Sequence, residues 1–266
     1  MTSDDRGPSS DVKDDEQGSR SSHAGKSSGK KPRKHLPLWQ ETVLLLGLAL
    51  VLAVVIKALF VQAFYIPSES MEPGLIRNDR ILVQKVSYWL GGEPERGDVV
   101  VFEDPGGWLS GADSAGPSNP IAKAMATIGL YPEGGHLVKR VVGVGGDTIT
   151  CCDDQGRISV NGRPLDEKPY VREEGIECNG PRGVPSCNWE VGPVPEDNIF
   201  VMGDNRGHSA DSTAHMCRPD ETDCVPGDEF VPVDLVVGKV FVLIWPASRF
   251  DWVGRPDSFA DVADAS

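Results

Sequence analysis

The sequence predicts a mainly β fold, one or two antiparallel sheets with long loops, preceded by a single transmembrane helix. Three observations predict it. One long apolar run lies near the start, short apolar segments broken by Gly, Pro and Asp follow it, and no second run approaches spanning length. Of the 266 residues, 39% are hydrophobic and 25% charged, enough for a folded core after the apolar run.

Residues 1–38 carry few large apolar side chains and are rich in Ser, Gly, Asp and Lys, so they read as a disordered tail. The tail ends in KKPRKH, Lys30 to His35. Such a cluster can be a nucleic-acid patch or the cytoplasmic flank of a membrane span. Its place directly before the apolar run favours the flank, and a net charge of −14 argues against a nucleic-acid partner. The run from Thr42 to Phe64 predicts a span over 39–63, with Lys57 near enough to its far end to snorkel. A cleavable signal peptide is the rival, because Val61–Ala63 resembles a cleavage site. The depth of the basic cluster and the length of the run favour an uncleaved anchor. The amino terminus is then cytoplasmic and everything after about Phe64 lies outside the cell membrane.

Six cysteines, Cys151, Cys152, Cys178, Cys187, Cys217 and Cys224, suit an oxidising compartment. Cys217 and Cys224 are expected to close a small loop. Bridging of the adjacent Cys151 and Cys152 is disfavoured by geometry, which leaves two ways to pair them with Cys178 and Cys187. No zinc knuckle or His pair is present, so no metal is expected.

Strands are expected in RILVQKVSYWL (80–90), GDVVVFEDP (97–105), HLVKRVVGVGGDTITCC (136–152, with a turn), NIFVMGDN (198–205) and LVVGKVFVLIWP (235–246). GRISVNGRPL reads as a hairpin turning at Asn161-Gly162. The stretch Gly106–Gly135 is loop-rich, with helical spacing in residues 120–131.

Three segments carry groups able to do chemistry. FYIPSESMEPGL, Phe64 to Leu75, places Ser68 and Ser70 between two prolines. A serine nucleophile needs a base, and a triad of Ser70, His208 and Asp211 is conceivable. A neutral lysine is the alternative. Alternation puts Lys139 on the same face as Leu137 and Val141, where it is either an inward-facing base or the exposed end of an edge strand. The third segment, MGDNRGHSADST, holds Asp204, Asn205, Arg206, Ser209 and Asp211 after a strand.

The order of anchor, IPSESMEP, KRVVGVGGD and GDNRGHSADS resembles the bacterial type I signal peptidase (leader peptidase) family of membrane-anchored serine proteases, from the anchor to GKVFVLIWPASR. The resemblance implies Ser70 as nucleophile, Lys139 as general base, and an oxyanion hole of the Ser68 hydroxyl and the Ser70 N–H. It implies that Ser209 orients the lysine and that Asp204, Asn205, Arg206 and Asp211 brace their loop. It further implies an antiparallel signal-peptidase fold with a catalytic β domain of 64–146 and 197–250, an inserted smaller β domain of 147–196, and a tail of 251–266. Substrates would be exported preproteins cut after Ala-x-Ala-like sequences at the lipid surface, without a cofactor. Thr213 departs from the family, which often has an arginine there; Arg206 or a Cys217–Cys224 bridge is expected to compensate.

A self-cleaving repressor-type protease fits poorly, having no anchor and binding DNA, and a penicillin-binding protein needs an S-x-x-K that SESM lacks. A non-catalytic anchored relative would have lost the serine or the lysine, and both are present.

Overall fold

A computed structural model describes residues 37–89, 91–109, 119–120, 134–172, 188–217 and 222–264. The N-terminal tail up to residue 36, Cys178 and Cys187, and all but the first residue of the helical spacing in 120–131 lie outside these residues.

Helix α1, Leu38–Phe60, has 23 residues and a mean hydropathy of 2.1 over Leu38–Val55, the length and composition of a membrane span. Its apolar side chains from Val43 to Val55 are exposed. The sequence reading ran this helix to residue 63. It ends at Phe60, because Val61–Tyr65 forms strand β1, paired residue by residue with β2 (Arg80–Gln84) from Val61↔Gln84 to Tyr65↔Arg80. A short apolar run fits helix or strand equally, and here the partner strand decides. The expected long strand 80–90 is cut short in the same way. Lys85 donates its N–H to the Phe60 carbonyl, and Val86–Trp89 turns into a one-turn helix, α2.

The remaining strands are β3 (Val99–Glu103), β4 (His136–Val144), β5 (Ile149–Cys151), β6 (Ser159–Val160), β7 (Arg163–Pro164), β8 (Trp189–Val191), β9 (Asn198–Met202), β10 (Val231–Pro232), β11 (Val236–Trp245) and β12 (Asp251–Trp252). A four-residue helix, α3 (Ser212–His215), follows β9. Eight strands form one antiparallel sheet in the order β1-β2-β11-β3-β4-β9-β10, with β12 beside β11. The other four form a small antiparallel sheet, β7-β6-β5-β8. Asn161 and Gly162 both take positive φ, 50° and 77°, as a two-residue hairpin turn requires.

Alternation along the interior strands fills both faces of the large sheet. Val99 and Val101 join Ile81, Val83, Met71 and Leu75 on one face, while Val100 and Phe102 join Leu137, Val141 and Val201 on the other. The small sheet packs Ile149, Val160 and Val191 against Val142, Phe200 and Met202. Gly143 permits this approach, since a Cβ there would stand 2.6 Å from Ile149 Cδ1. β4 pairs with β3 along His136–Arg140 but with β9 only from Arg140 onward, with a register shift between Val141 and Gly143.

Two further expectations are revised. Cys217 and Cys224 are bridged, with Cα atoms 5.5 Å apart. Cys151 and Cys152, however, are joined to each other, with Cα atoms 3.0 Å apart. The residues read as a C-terminal tail are also part of the fold. Asp251–Trp252 extends the large sheet, and Phe259 and Val262 are buried in the cluster between the sheets. The Phe259 ring lies against Gly97, whose φ of +86° and missing Cβ make room for it. Phe259→Ala should lower the unfolding free energy by about 3 kcal/mol, read from denaturant titration of the solubilised protein.

Candidate active site

The site is built where the chain leaving β1 meets the unpaired half of β4. Ile66 hydrogen-bonds Asp79, while Met71 and Leu75 bury themselves beneath it, so Ser68–Met71 is held as a turn against the sheet. Ser70 is 5% exposed and Lys139 4% exposed. Lys139 Nζ lies 2.7 Å from Ser70 Oγ and also donates to the Val138 carbonyl at 3.1 Å. The Ser68 and Ser70 hydroxyl oxygens are 3.2 Å apart. Of the two readings open for Lys139, the exposed-end one fails, because its side chain is buried even though Leu137–Lys139 pairs with a strand on one side only.

Burial pushes the Lys139 amine down to about 8, against the opposing charges of Asp211 and Asp204. Both carboxylates are committed elsewhere. Asp204 accepts a two-pronged pair from Arg140 at 2.8 and 2.7 Å, and Arg140 also donates to the Gly97 carbonyl and lies 4.6 Å over the Tyr170 ring. Asp211 accepts from the Gly203 N–H, the Thr213 N–H and the Thr213 hydroxyl, capping α3. A buried amine of lowered proton affinity beside a serine hydroxyl is a geometry for taking up that hydroxyl's proton.

The match to known proteins agrees in kind. Residues 39–245 match the model of the family described as signal peptidase, peptidase S26. Signal peptidase I of Mycobacterium tuberculosis (strain ATCC 25618 / H37Rv) is 41% identical over 241 residues, which cover 86% of this chain and 80% of the relative.

The chain belongs to the signal peptidase family.

The probable signal peptidase I of Mycobacterium leprae (strain TN) is 38% identical over 246 residues, covering 86% of this chain and 83% of that one. A crystal structure of a signal peptidase I from Enterococcus faecalis V583 matches at 21% identity and a TM-score of 0.26, covering 55% of this chain and 96% of that chain. Family membership rests on the sequence matches.

In this signal peptidase family member the structure brings Ser68, Ser70 and Lys139 together and braces them with the loop Gly203–Asp211. Asn205 donates its N–H to the Ser70 carbonyl and its side-chain amide to the Glu69 carbonyl, both at 3.0 Å. The Ser209 hydroxyl is buried and, among the described residues, hydrogen-bonds no group, Lys139 included. The sequence-level alternative of a His208 triad is not assembled: His208 is exposed, and Asp211 is occupied by Gly203 and Thr213. Thr213 itself takes up Asp211. Arg206 pairs instead with Glu167, at 2.6 and 3.0 Å.

Three buried residues carry no functional signal in the sequence. Arg140 reads only as the residue after Lys139, Glu167 stands in an unremarkable polar stretch, and Trp108 lies in the loop-rich stretch Gly106–Gly135. Trp108 is buried, stacks on His215 with ring centroids 4.4 Å apart, and donates its indole N–H to Asp228. Conversion of Asp204 to Ala, which leaves Arg140 buried without its partner, should cost about 3–5 kcal/mol of stability in the same denaturant titration.

Proposed function

We propose that this protein is a serine endopeptidase that removes signal peptides from exported preproteins, with Ser70 as nucleophile and Lys139 as general base. The observation that carries this reading is the buried 2.7 Å approach of Lys139 Nζ to Ser70 Oγ. Neutral Lys139 takes the Ser70 proton as Oγ attacks the scissile carbonyl. The oxyanion is held by the Ser68 hydroxyl and the Ser70 N–H. The ammonium then gives its proton to the leaving amine as the C–N bond breaks, and water, deprotonated by the same lysine, hydrolyses the acyl ester. Ser209, with an uncommitted hydroxyl, orients the ammonium once it forms. No cofactor takes part.

The unpaired sides of β1 and of Leu137–Lys139 offer main-chain groups to an extended substrate, as in strand addition. Small side chains on the acyl side, Ala-x-Ala-like, fit this close backbone approach. Helix α1 anchors the protein in the cell membrane as a single span with the amino terminus cytoplasmic and the catalytic part outside. The exposed Trp245, Phe250 and Trp252 form an aromatic rim suited to the lipid interface.

Cleavage of a preprotein bearing an Ala-x-Ala site by solubilised enzyme tests this reading. Ser70→Ala and Lys139→Ala are expected to be inactive, Ser68→Ala slower by about 10²–10³-fold in kcat, and His208→Ala fully active. Full activity in either dyad variant would sink the proposal. The pH profile supplies a second check. Lys139 works only when neutral and is protonated below its pKa of about 8, so kcat/KM should rise with pH through about 8 and level off above it. An acid limb that moves in His208→Ala would assign the base to histidine instead.

A further inference from the structure

The segment that leaves the small sheet after β7 runs back to the serine. Glu167 is 4% exposed, pairs with Arg206, and accepts from the Tyr170 hydroxyl at 3.1 Å. Five residues on, Arg172 donates its N–H to the Asp204 carbonyl at 2.8 Å and accepts from the Arg206 N–H at 3.1 Å. Its side chain pairs with Glu72, two residues past Ser70, at 2.8 Å. Asp204–Arg206 is therefore gripped on both sides, by backbone pairing to Arg172 and by the Arg206–Glu167 ion pair. Arg206 also donates to the Gly203 carbonyl at 3.1 Å, which ties the start of the loop to the same point.

Asn205 sits in the middle of that grip, and its two donors fall on the carbonyls that bracket Ser70. A trans peptide unit is planar, with its C=O and N–H pointing in opposite directions. Holding the Glu69 carbonyl thus fixes the direction of the Ser70 N–H, which donates to no backbone carbonyl among the described residues. Holding the Ser70 carbonyl fixes the next unit. Together the two contacts leave the serine backbone no rotation by which its N–H could turn from the cleft.

We propose that Glu167 is a positioning residue for Ser70: through Arg206 it holds Asn205, and Asn205 aims the Ser70 N–H at the developing oxyanion. The inference rests on the reading of Ser70 as nucleophile. It gives the small sheet a task, since Glu167 lies on the segment by which that sheet connects to the site. The Arg206 guanidinium is as buried as Glu167, at 2% exposure, and Glu167 is the carboxylate in direct contact with it, with Asp204 acting from farther off.

The test uses the full-length, detergent-solubilised protein and a preprotein with an Ala-x-Ala site. Glu167→Gln is expected to lower kcat about tenfold and Asn205→Ala about 10²-fold, with KM within about twofold of wild type. The acid limb of the pH profile should stay in place, because neither residue touches Lys139. A peptide aldehyde of the same sequence, which forms an oxyanion on Ser70, should lose affinity in step with kcat/KM, while an uncleaved peptide binds as before. Wild-type kcat in a folded Glu167→Gln overturns the proposal, and so does a loss of kcat that comes with a displaced acid limb. If Glu167→Gln melts below the assay temperature, the double variant Glu167→Leu/Arg206→Met removes both buried charges together, and wild-type kcat there is equally fatal. Retained cleavage by Ser70→Ala would remove the reading on which the inference rests. An inactive Ser70→Ala beside a normal Glu167→Gln removes the inference alone.

Discussion

Everything around the site follows from keeping one amine out of water while it touches one hydroxyl. Burial lowers the proton affinity of Lys139, but the same interior makes any nearby carboxylate a strong competitor, and Asp204 and Asp211 are both near enough to be felt. The fold answers by giving each carboxylate a full set of other donors. Arg140 occupies both oxygens of Asp204; Gly203 and Thr213 occupy those of Asp211. The two acids therefore serve as structural anchors for the loop and leave the lysine with Ser70 and a carbonyl. An unpaired carboxylate in either place would form an ion pair with Lys139 and hold its proton.

The arrangement is built from distant parts of the chain. Ser70 comes from the turn after β1, Lys139 from β4, Asn205 from the loop after β9, and Glu167 from the segment after β7. The large sheet sets the first three relative to one another, since β4 and β9 are neighbours and the turn lies over the hydrophobic cluster of β1, β2, β3 and β11. The small sheet and the last described residues close the other side, with Phe259 and Val262 between the sheets.

Much of this was legible in the sequence. β3, β4, β9, β11 and the Asn161-Gly162 hairpin follow from alternation, β-branched content and turn residues, whereas local pattern left Lys139 open between an inward-facing base and an exposed strand end. What was not legible depended on partners remote in sequence. Val61–Tyr65 is as apolar as the helix before it, and only pairing with β2 makes it a strand. Gln84 closes β2 because Lys85 bonds back to Phe60, which no local signal announces. Glu167 looks like any surface acid until Arg206 is placed against it. The bridging of Cys151 to Cys152 ran against expectation, since no local signal decides which cysteines pair.

Lys139 and Arg140 are consecutive, yet the pleat of β4 sends them to opposite faces, one to Ser70 and one to Asp204. The pairing of β4 with β3, together with the shift at Val141–Gly143 where Ile149 is seated, fixes which cation goes where. A slip of one residue would put Arg140 in the place of Lys139 and Val141 in the place of Arg140. The serine would then face a guanidinium, which does not give up its proton, and the loop aspartate would be left without a cation. Strand alignment in this protein thus decides which cation stands beside Ser70, and the hydrophobic residues that set the alignment do so without touching either group.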